Sequence, residues 1–163
     1  MMRAAPPTFN RKNLNFKKMP VKYYNDSCSY SLPQKRLTTR WLQRVAEEEG
    51  CILGDVTYIF CSAERLLEMN RQFLGHDYYT DVITFDYSDL RHSRTISGDI
   101  FIDVETVADN ARLYGVPRLT EMRRVVVHGV LHLCGQKDKT PRANRQMHAK
   151  EDKYLKLLDA QAS

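Results

Sequence analysis

Two histidines separated by four positions are the residues of this sequence best suited to chemistry. They are His128 and His132, in the segment VHGVLHLCGQKDK that covers residues 127–139. On a helix, both imidazoles would project from one face about one turn apart, as two ligands of one transition metal must. We expect Gly135 to end this helix and turn the chain back, so that Asp138 can supply a third ligand. Three protein ligands would leave one tetrahedral position for water, as in catalytic zinc sites.

The same pattern has a structural interpretation, in which both histidines are hydrogen-bonded members of a buried helix. The helix stop at Gly135 and the carboxylate that follows it favour the metal site over this alternative. Gly129 stands where H-E-x-x-H metalloproteases carry their general-base glutamate, which disfavours peptide hydrolysis by that mechanism. A glycine at this position allows either close packing of the helix or close approach of a substrate.

The elements that must position these residues follow the order β-α-β-α-β-β-α-α-α. Apolar periodicity and capping residues predict strands at Val21–Tyr24, Cys51–Phe60, Thr80–Tyr87 and Gly98–Asp103, and helices that begin near Leu37, Ser62, Asp103, Thr120 and Thr140. The first helix is expected to be capped by Thr38 or Thr39. Two strands in series form a hairpin, and the earlier crossovers make the other strands parallel neighbours. We therefore predict an α/β (α+β) fold: a small mixed four-stranded sheet packed by about five helices, with the metal-binding helix at the centre.

Composition predicts one basic globular domain. The 163 residues are 42% hydrophobic and 28% charged, which excludes a collagen-like chain and a disulfide scaffold. The net charge of +5 permits a polyanionic partner such as nucleic acid. Four cysteines without a regular spacing indicate reduced thiols and a cytoplasmic location. Since no run of 18 apolar residues occurs, we expect no membrane-spanning helix.

The chain changes character at about residue 20. Residues 1–20 carry five basic side chains and no acidic one, and they lack the apolar core of a secretory signal. We predict that they form a disordered basic tail, with an organelle transit peptide as the alternative. Residues 21–160 are predicted to form the single folded domain.

Several motifs in one order carry a family resemblance. The run HGVLHLCG at 128–135 resembles the H-G-x-L-H-L-x-G motif of the YbeY family of bacterial metal-dependent endoribonucleases. Leu67–Phe85 (LEMNRQFLGHDYYTDVITF) is similar to the family segment L-N-x-x-Y-R-G-x-D-x-P-T-D-V-L-S-F, and Gly98–Ile100 to its G-D-I strand. Met147 and Glu151 match a spaced M and E after the metal motif. The resemblance extends over about Leu37–Leu158.

The resemblance implies a function and a set of partners. It implies an endoribonuclease that acts in the processing of small-subunit 16S ribosomal RNA and in ribosome maturation or quality control. The expected partners are ribosomal RNA and the small ribosomal subunit, and the expected cofactor is one Zn²⁺ per chain, although another divalent transition metal also fits. A monomer is expected. The alternative is a non-catalytic metal-containing factor that binds or assembles ribosomes; its structural metal would need a fourth ligand, for which Cys134 is the nearest candidate.

The sequence departs from the family pattern at two functional positions. The third metal ligand of the family is usually histidine, whereas this chain has Asp138; a carboxylate binds zinc at a similar distance and shifts preference toward harder metals. A family arginine thought to contact RNA falls at Leu74, so its role is not carried over, although Arg71 lies nearby. Thr80 and Asp81 are expected to line the catalytic cleft, with Asp81 as an orienting or proton-accepting group or as an ordinary turn carboxylate.

Other polar residues near the metal motif are candidates for the cleft or for RNA contact. Arg123 and Arg124 precede His128 on its helix and are candidates for phosphate contact, or else belong to a solvated helix face. Lys137 and Lys139 flank Asp138 and are further candidates for RNA binding. A basic stretch continues from there through residues Arg142, Arg145, Lys150, Lys153 and Lys156. His76 and Asp77 are further cleft candidates, His92 is expected in a solvated loop, and His148 is expected to pair with Asp152. The sequence shows no aromatic-rich segment that would form a platform for single-stranded RNA, so it does not predict base-specific recognition.

Overall fold

The computed structural model describes residues 21–162, so the predicted tail at 1–20 lies outside the described residues. The element order matches the prediction: β1 (Val21–Asp26), α1 (Lys35–Glu48), β2 (Ile52–Cys61), α2 (Ala63–Leu74), β3 (Val82–Asp86), β4 (Thr95–Asp103), α3 (Val104–Tyr114), α4 (Arg118–Leu133) and α5 (Pro141–Ala162). Within the described range, no helix is both long and apolar enough to cross a membrane.

The four strands form one mixed sheet in the order β1-β2-β4-β3. β1, β2 and β4 are parallel, whereas β3 runs antiparallel to β4. The predicted hairpin and parallel crossovers are thereby confirmed. β4 begins at Thr95 rather than at the predicted Gly98, because Thr95 and Ile96 pair with the start of β2.

Side-chain caps start three of the helices as expected. The Ser62 hydroxyl accepts a hydrogen bond from the Arg65 amide at 3.2 Å, and the Asp103 carboxylate accepts from the amides of Glu105 and Thr106 at 2.9 and 3.1 Å. The Thr140 hydroxyl accepts from the Ala143 amide at 3.1 Å at the start of α5. All three caps satisfy amides that have no partner inside a helix. Two predicted starts are wrong.

The first of these is the start of α1, which we placed near Leu37 with a threonine cap. The helix begins at Lys35 after Gln34, which adopts a left-handed conformation and provides no side-chain cap. Thr38 and Thr39 are buried within the helix instead.

The second is the start of α4, which begins at Arg118 after Pro117. Thr120, the predicted cap, lies inside the first turn. Since Pro117 ends the preceding segment and lacks an amide hydrogen, the helix begins directly behind it.

α4 occupies the centre of the domain, as predicted. It packs against β3 and β4 on one side and against α1, α3 and α5 on others. Nine of its residues are buried, and the Tyr58 hydroxyl donates to the Val126 carbonyl at 2.6 Å. A Cβ atom on Gly129 would lie only 2.7 Å from Cδ1 of Ile100 on β4. The glycine therefore serves close packing of α4 on the sheet, which brings the histidines of α4 beside the start of β3.

Candidate metal centre and its cavities

The three predicted metal ligands converge in the structure. His128 and His132 lie on the last two turns of α4, and Asp138 lies in the connection to α5. Nε2 of His128 is 3.4 Å, and Nε2 of His132 is 3.1 Å, from Oδ2 of Asp138. Among residues 21–162, this is the one group of three histidine, cysteine or acidic side chains whose ligand atoms all lie close enough, within 4.8 Å, to hold a metal ion.

The spacing of these atoms fits a tetrahedral transition metal. Metal–ligand bonds of about 2.0–2.1 Å place the ligand atoms of a tetrahedral zinc site roughly 3.3–3.4 Å apart. The separations of 3.4 and 3.1 Å are close to this value. Two imidazole nitrogens and one carboxylate oxygen also have the donor chemistry that zinc accepts. The residues present therefore fit such an ion.

A buried carboxylate holds the other nitrogen of His128. Oε2 of Glu151 on α5 lies 2.9 Å from Nδ1 of His128, and the Glu151 side chain is only 2% exposed. Because an ionised carboxylate only accepts hydrogen bonds, Nδ1 is the donor, and the lone pair of Nε2 faces Asp138. Carboxylates that orient metal-binding histidines in this way are common.

The second oxygen of Glu151 has two partners of its own. Nη1 of Arg124 lies 3.3 Å away and Nδ1 of His148 lies 3.0 Å away. Arg124 also donates to Asp152 at 2.7 Å. The predicted pair of His148 with Asp152 is therefore wrong, because Arg124 engages Asp152 and His148 lies one turn from Glu151.

The electrostatics of the cluster follow from burial and from these contacts. Burial lowers the pKa of His128, but the hydrogen bond that its Nδ1 donates to Glu151 and the negative charges of Glu151, Asp138 and Asp81 outweigh burial, so the pKa is raised. Burial and the neighbouring His128 lower the pKa of His132. Burial raises the pKa of Asp81, which His128 only partly opposes. The two histidines therefore titrate at different pH values.

Two cavities of similar volume meet at His128. The metal-side cavity, of about 460 Å³, is lined by Asn70, Leu74, His76, Tyr78, Thr80, Asp81, Val82, Ile83, Thr84, His128, His132, Asp138 and Lys139. The helix-side cavity, of about 450 Å³, is lined by Asp81, Val82, Asn110, Tyr114, Val116, Glu121, Arg124, Val125, His128, His148 and Glu151. Both volumes lie in the range of ligand sites, roughly 300–1,000 Å³.

The family model described as Endoribonuclease YbeY matches residues 22–159. The chain belongs to the YbeY family. A relative named Endoribonuclease YbeY from Parabacteroides distasonis is 43% identical over 140 residues, which are 86% of this chain and 96% of the relative. A relative of the same name from Cytophaga hutchinsonii is 45% identical over 141 residues, or 86% and 97% of the two chains.

A solved structure supports the same fold. The solution structure of TM1509 from Thermotoga maritima aligns with a TM-score of 0.58 and 26% sequence identity. The alignment covers 85% of this chain and 88% of TM1509. Membership of the YbeY family thus extends over the sheet, the metal group and α5.

The structure brings most of the predicted cleft residues to the metal group. Thr80 lines the metal-side cavity, and Asp81 lines both cavities. His76 also lines the metal-side cavity and stacks on Tyr78 with a centroid distance of 5.0 Å. Asp77 is instead an exposed partner of Arg71. His92 lies in an exposed turn beside Asp89, as expected.

The predicted RNA-binding residues are divided among different surfaces. Lys139 lines the metal-side cavity and Arg124 the helix-side cavity. Lys137 lies beside Asp138 in a smaller hollow of the turn. Arg123 lines neither cavity and donates to the Gln34 side chain at 2.7 Å, at the start of α1. The structure thus places Arg123 away from the metal group.

Two glutamates that line the helix-side cavity are not identifiable as site residues from the sequence pattern. Glu151 stands out only as a match to the family's spaced M and E, and Glu121 belongs to no motif. Both glutamates are buried, at 1% and 5% exposure. The available signal was an acidic residue on an apolar helix face, since Glu151 shares its stripe with Met147, Tyr154 and Leu158. A charged residue in such a position is rarely buried without a partner or a task.

Proposed function

We propose that this chain is a Zn²⁺-dependent endoribonuclease that cleaves ribosomal RNA, acting on 16S RNA during maturation or quality control of the small ribosomal subunit. The observation that carries this proposal is the convergence of His128, His132 and Asp138, with His128 oriented by Glu151, at the junction of two cavities. Membership of the YbeY family supports an RNA-cleaving hydrolase activity.

The side chains present suit phosphodiester hydrolysis. His128, His132 and Asp138 would hold one zinc ion per chain, which acidifies water and stabilises the negative charge that develops on the phosphate. Asp81 lies beside His128 in both cavities, and its raised pKa suits a group that accepts and returns a proton. Lys139, in the wall of the metal-side cavity, supplies a positive charge for the RNA backbone.

The substrate sets the partners and the location. Ribosomal RNA reaches the enzyme as part of the small subunit, so we propose that the protein acts in the cytoplasm as a monomer on that particle. An RNA strand whose scissile phosphate lies at the metal group would place its neighbouring nucleotides near the two cavities.

The alternative, a non-catalytic ribosome-binding factor with a structural metal, is less well supported. Structural zinc sites are closed by four protein ligands. Among the described residues, the ligand group contains three side chains and does not include Cys134. A three-ligand group leaves one position open, as catalysis requires.

A cleavage assay tests the proposal. Zinc-loaded wild-type protein, His132→Ala and His92→Ala would be incubated with 16S ribosomal RNA precursor, with and without EDTA. We expect cleavage by the wild type and by His92→Ala, which changes an exposed histidine of the β3–β4 connection. His132→Ala and the EDTA-treated samples should be inactive. Equal cleavage by His132→Ala would mean that a contaminating nuclease is responsible, and the proposal would be rejected.

A further inference from the structure

Glu121 is a largely buried residue whose carboxylate accepts no hydrogen bond from the described residues and has only the nearby charge of Arg124 to oppose its own. It lies in the first turn of α4, is only 5% exposed and lines the helix-side cavity. None of its side-chain atoms forms a hydrogen bond or an ion pair with residues 21–162. Burial raises the pKa of Glu121, although the positive charge of Arg124 opposes this change. The Glu121 oxygens are not among the side-chain atoms that are sealed from solvent without a hydrogen bond, so they are accessible from the helix-side cavity that the residue lines.

Glu121 and Glu151 differ in their hydrogen-bond partners. Both carboxylates line the helix-side cavity. Glu151 is satisfied by His128, Arg124 and His148, and its position is explained by the metal group. Glu121 has no such set of donors in the described part of the chain, so its two oxygens are available to accept hydrogen bonds from a molecule in the cavity.

The walls of the helix-side cavity suit a planar base. Tyr114, at the end of α3, lines the cavity and is 62% exposed. Exposed tyrosine rings are typical platforms for unstacked RNA bases. The cavity shares His128 and Asp81 with the metal-side cavity, so a base bound here would lie next to a phosphate at the metal group.

We propose that the helix-side cavity binds a guanine base of the RNA adjacent to the scissile phosphate, and that Glu121 reads its Watson–Crick edge. Guanine presents two neighbouring donors there, N1–H and the N2 amino group, which match the two oxygens of a carboxylate. Adenine and cytosine each place a ring acceptor beside a single amino group, and uracil flanks its one N–H with two carbonyls. The inference rests on the proposed RNA substrate and adds base specificity to it.

A nucleotide-binding experiment tests the pocket without catalysis. Titration of zinc-loaded protein with GMP and with AMP, followed by calorimetry, should give at least about tenfold tighter binding of GMP, the size expected from a bidentate contact. Glu121→Gln keeps the shape of the side chain but loses one acceptor. We expect it to weaken GMP binding about ten- to a hundredfold while AMP binding is unchanged.

Two further variants separate base reading from general effects. Glu47→Gln makes the same chemical change at an exposed position of α1 and should keep the wild-type preference. Tyr114→Ala changes an exposed side chain and should weaken GMP and AMP to a similar degree. Equal affinities for GMP and AMP in the wild type, or an unchanged preference in Glu121→Gln, would overturn the inference.

Cleavage of short RNAs distinguishes this inference from the proposed function. Octamers of uridine that carry one central G, A or C would be digested by the wild type, Glu121→Gln and His132→Ala. We expect the wild type to cut next to G at least about tenfold faster than next to A or C, and Glu121→Gln to lose this preference. Cleavage by the wild type without any preference would refute the guanine site and leave the nuclease standing. Absence of cleavage together with a GMP preference that depends on Glu121 would refute the nuclease and support the guanine site.

Discussion

At the level of single residues, the hydrogen bond between Glu151 and His128 determines which imidazole nitrogen is left for a metal ion. Since Nδ1 donates to the carboxylate, Nε2 carries the lone pair that faces Asp138. His132 has no equivalent carboxylate behind it among the described residues; its Nε2 lies 3.1 Å from Asp138, and its other hydrogen bond is with the backbone of Gln136. The orientation of the metal group therefore depends more on α5 than the H-x-x-x-H spacing suggests.

Replacement of Glu151 by glutamine should weaken zinc binding about 10–100-fold, the usual effect of losing such an orienting contact. The amide can present its nitrogen to His128, which would leave the imidazole without its acceptor. Competition with a chromophoric chelator at neutral pH measures the affinity. Asp152→Asn, the same change at the next position, removes an exposed partner of Arg124 and should leave zinc affinity within about twofold. Equal losses in both variants would mean that Glu151 acts only through the charge of the cluster.

The raised pKa of His128 predicts the pH dependence of metal binding. A proton on Nε2 competes with the metal, so zinc affinity should fall about tenfold for each pH unit below that pKa. Because the pKa of His128 is raised and that of His132 is lowered, the decline should begin above the ordinary histidine value of about 6.5. Zinc dissociation constants measured from pH 5.5 to 8.5 test this. In Glu151→Gln the decline should begin at lower pH, and an identical profile would contradict the assignment.

The three metal-group residues were predictable because each follows from local spacing. Four residues bring two histidines onto one helix face, and a glycine stop returns the chain within a few residues. The roles of Glu121 and Glu151 could not be predicted in the same way. Their contacts depend on how α3, α4 and α5 pack, over sequence separations such as the 23 residues between His128 and Glu151. Arg123 is a predicted RNA-binding residue that packing directs elsewhere, because it donates a hydrogen bond to Gln34, 89 residues away.

At the level of elements, the close contact between α4 and β4 sets the position of the metal group. Gly129 lies one residue beyond His128 and faces Ile100, where even a methyl group would be 2.7–3.2 Å from three side-chain carbons. The sequence left two roles for this glycine, close packing or substrate approach. The structure assigns it to packing, because Gly129 lines neither cavity and is buried against the sheet.

The Gly129→Ala substitution should therefore destabilise the metal-free protein. Overpacking of a buried contact costs about 1–3 kcal/mol, whereas alanine gains up to about 1 kcal/mol over glycine inside a helix. We expect a net loss of up to about 2 kcal/mol in the free energy of unfolding by urea. Ile100→Val removes the nearest carbon, Cδ1, so the double variant should be more stable than the two single effects added together. Strict additivity, or a stabilised Gly129→Ala protein, would show that the contact relaxes without cost.

The starts and ends of the elements show which local rules hold in this fold. Ser62 and Asp103 cap their helices as their types indicate. α1 departs from the rule because Gln34 uses its backbone conformation rather than a side chain. The threonines that were expected to cap it are buried, and Thr39 accepts or donates a hydrogen bond with the Tyr23 hydroxyl at 3.1 Å. The start of α1 is thus set by tertiary packing and not by the two threonines, although threonine is a common N-cap residue.

At the level of the whole molecule, the excess of positive charge is unevenly distributed. The chain has 25 basic and 20 acidic residues, and residues 1–20 contain five of the basic ones and no acid. The remainder is therefore balanced in formal charge. Within the basic stretch that follows Asp138, Lys150 and Lys153 form ion pairs with Glu49 and Glu48 at the C-terminal end of α1. The net charge of the domain thus explains little about RNA binding, and the local positions of Lys137, Lys139 and Arg124 carry that prediction.

Metal binding should stabilise the whole domain, because the ligand group connects α4 to the segment that leads into α5. Free zinc at 100 times its dissociation constant contributes about 2.7 kcal/mol to the folded state. For a chain of this size, each kcal/mol raises the melting temperature by roughly 2–4 °C, so a rise of roughly 5–11 °C is expected by calorimetry. His92→Ala should show the same rise and His132→Ala almost none. If zinc does not change the melting temperature of the wild type, the protein does not bind it. If zinc raises the melting temperature of His132→Ala as much as that of the wild type, the metal binds at another site.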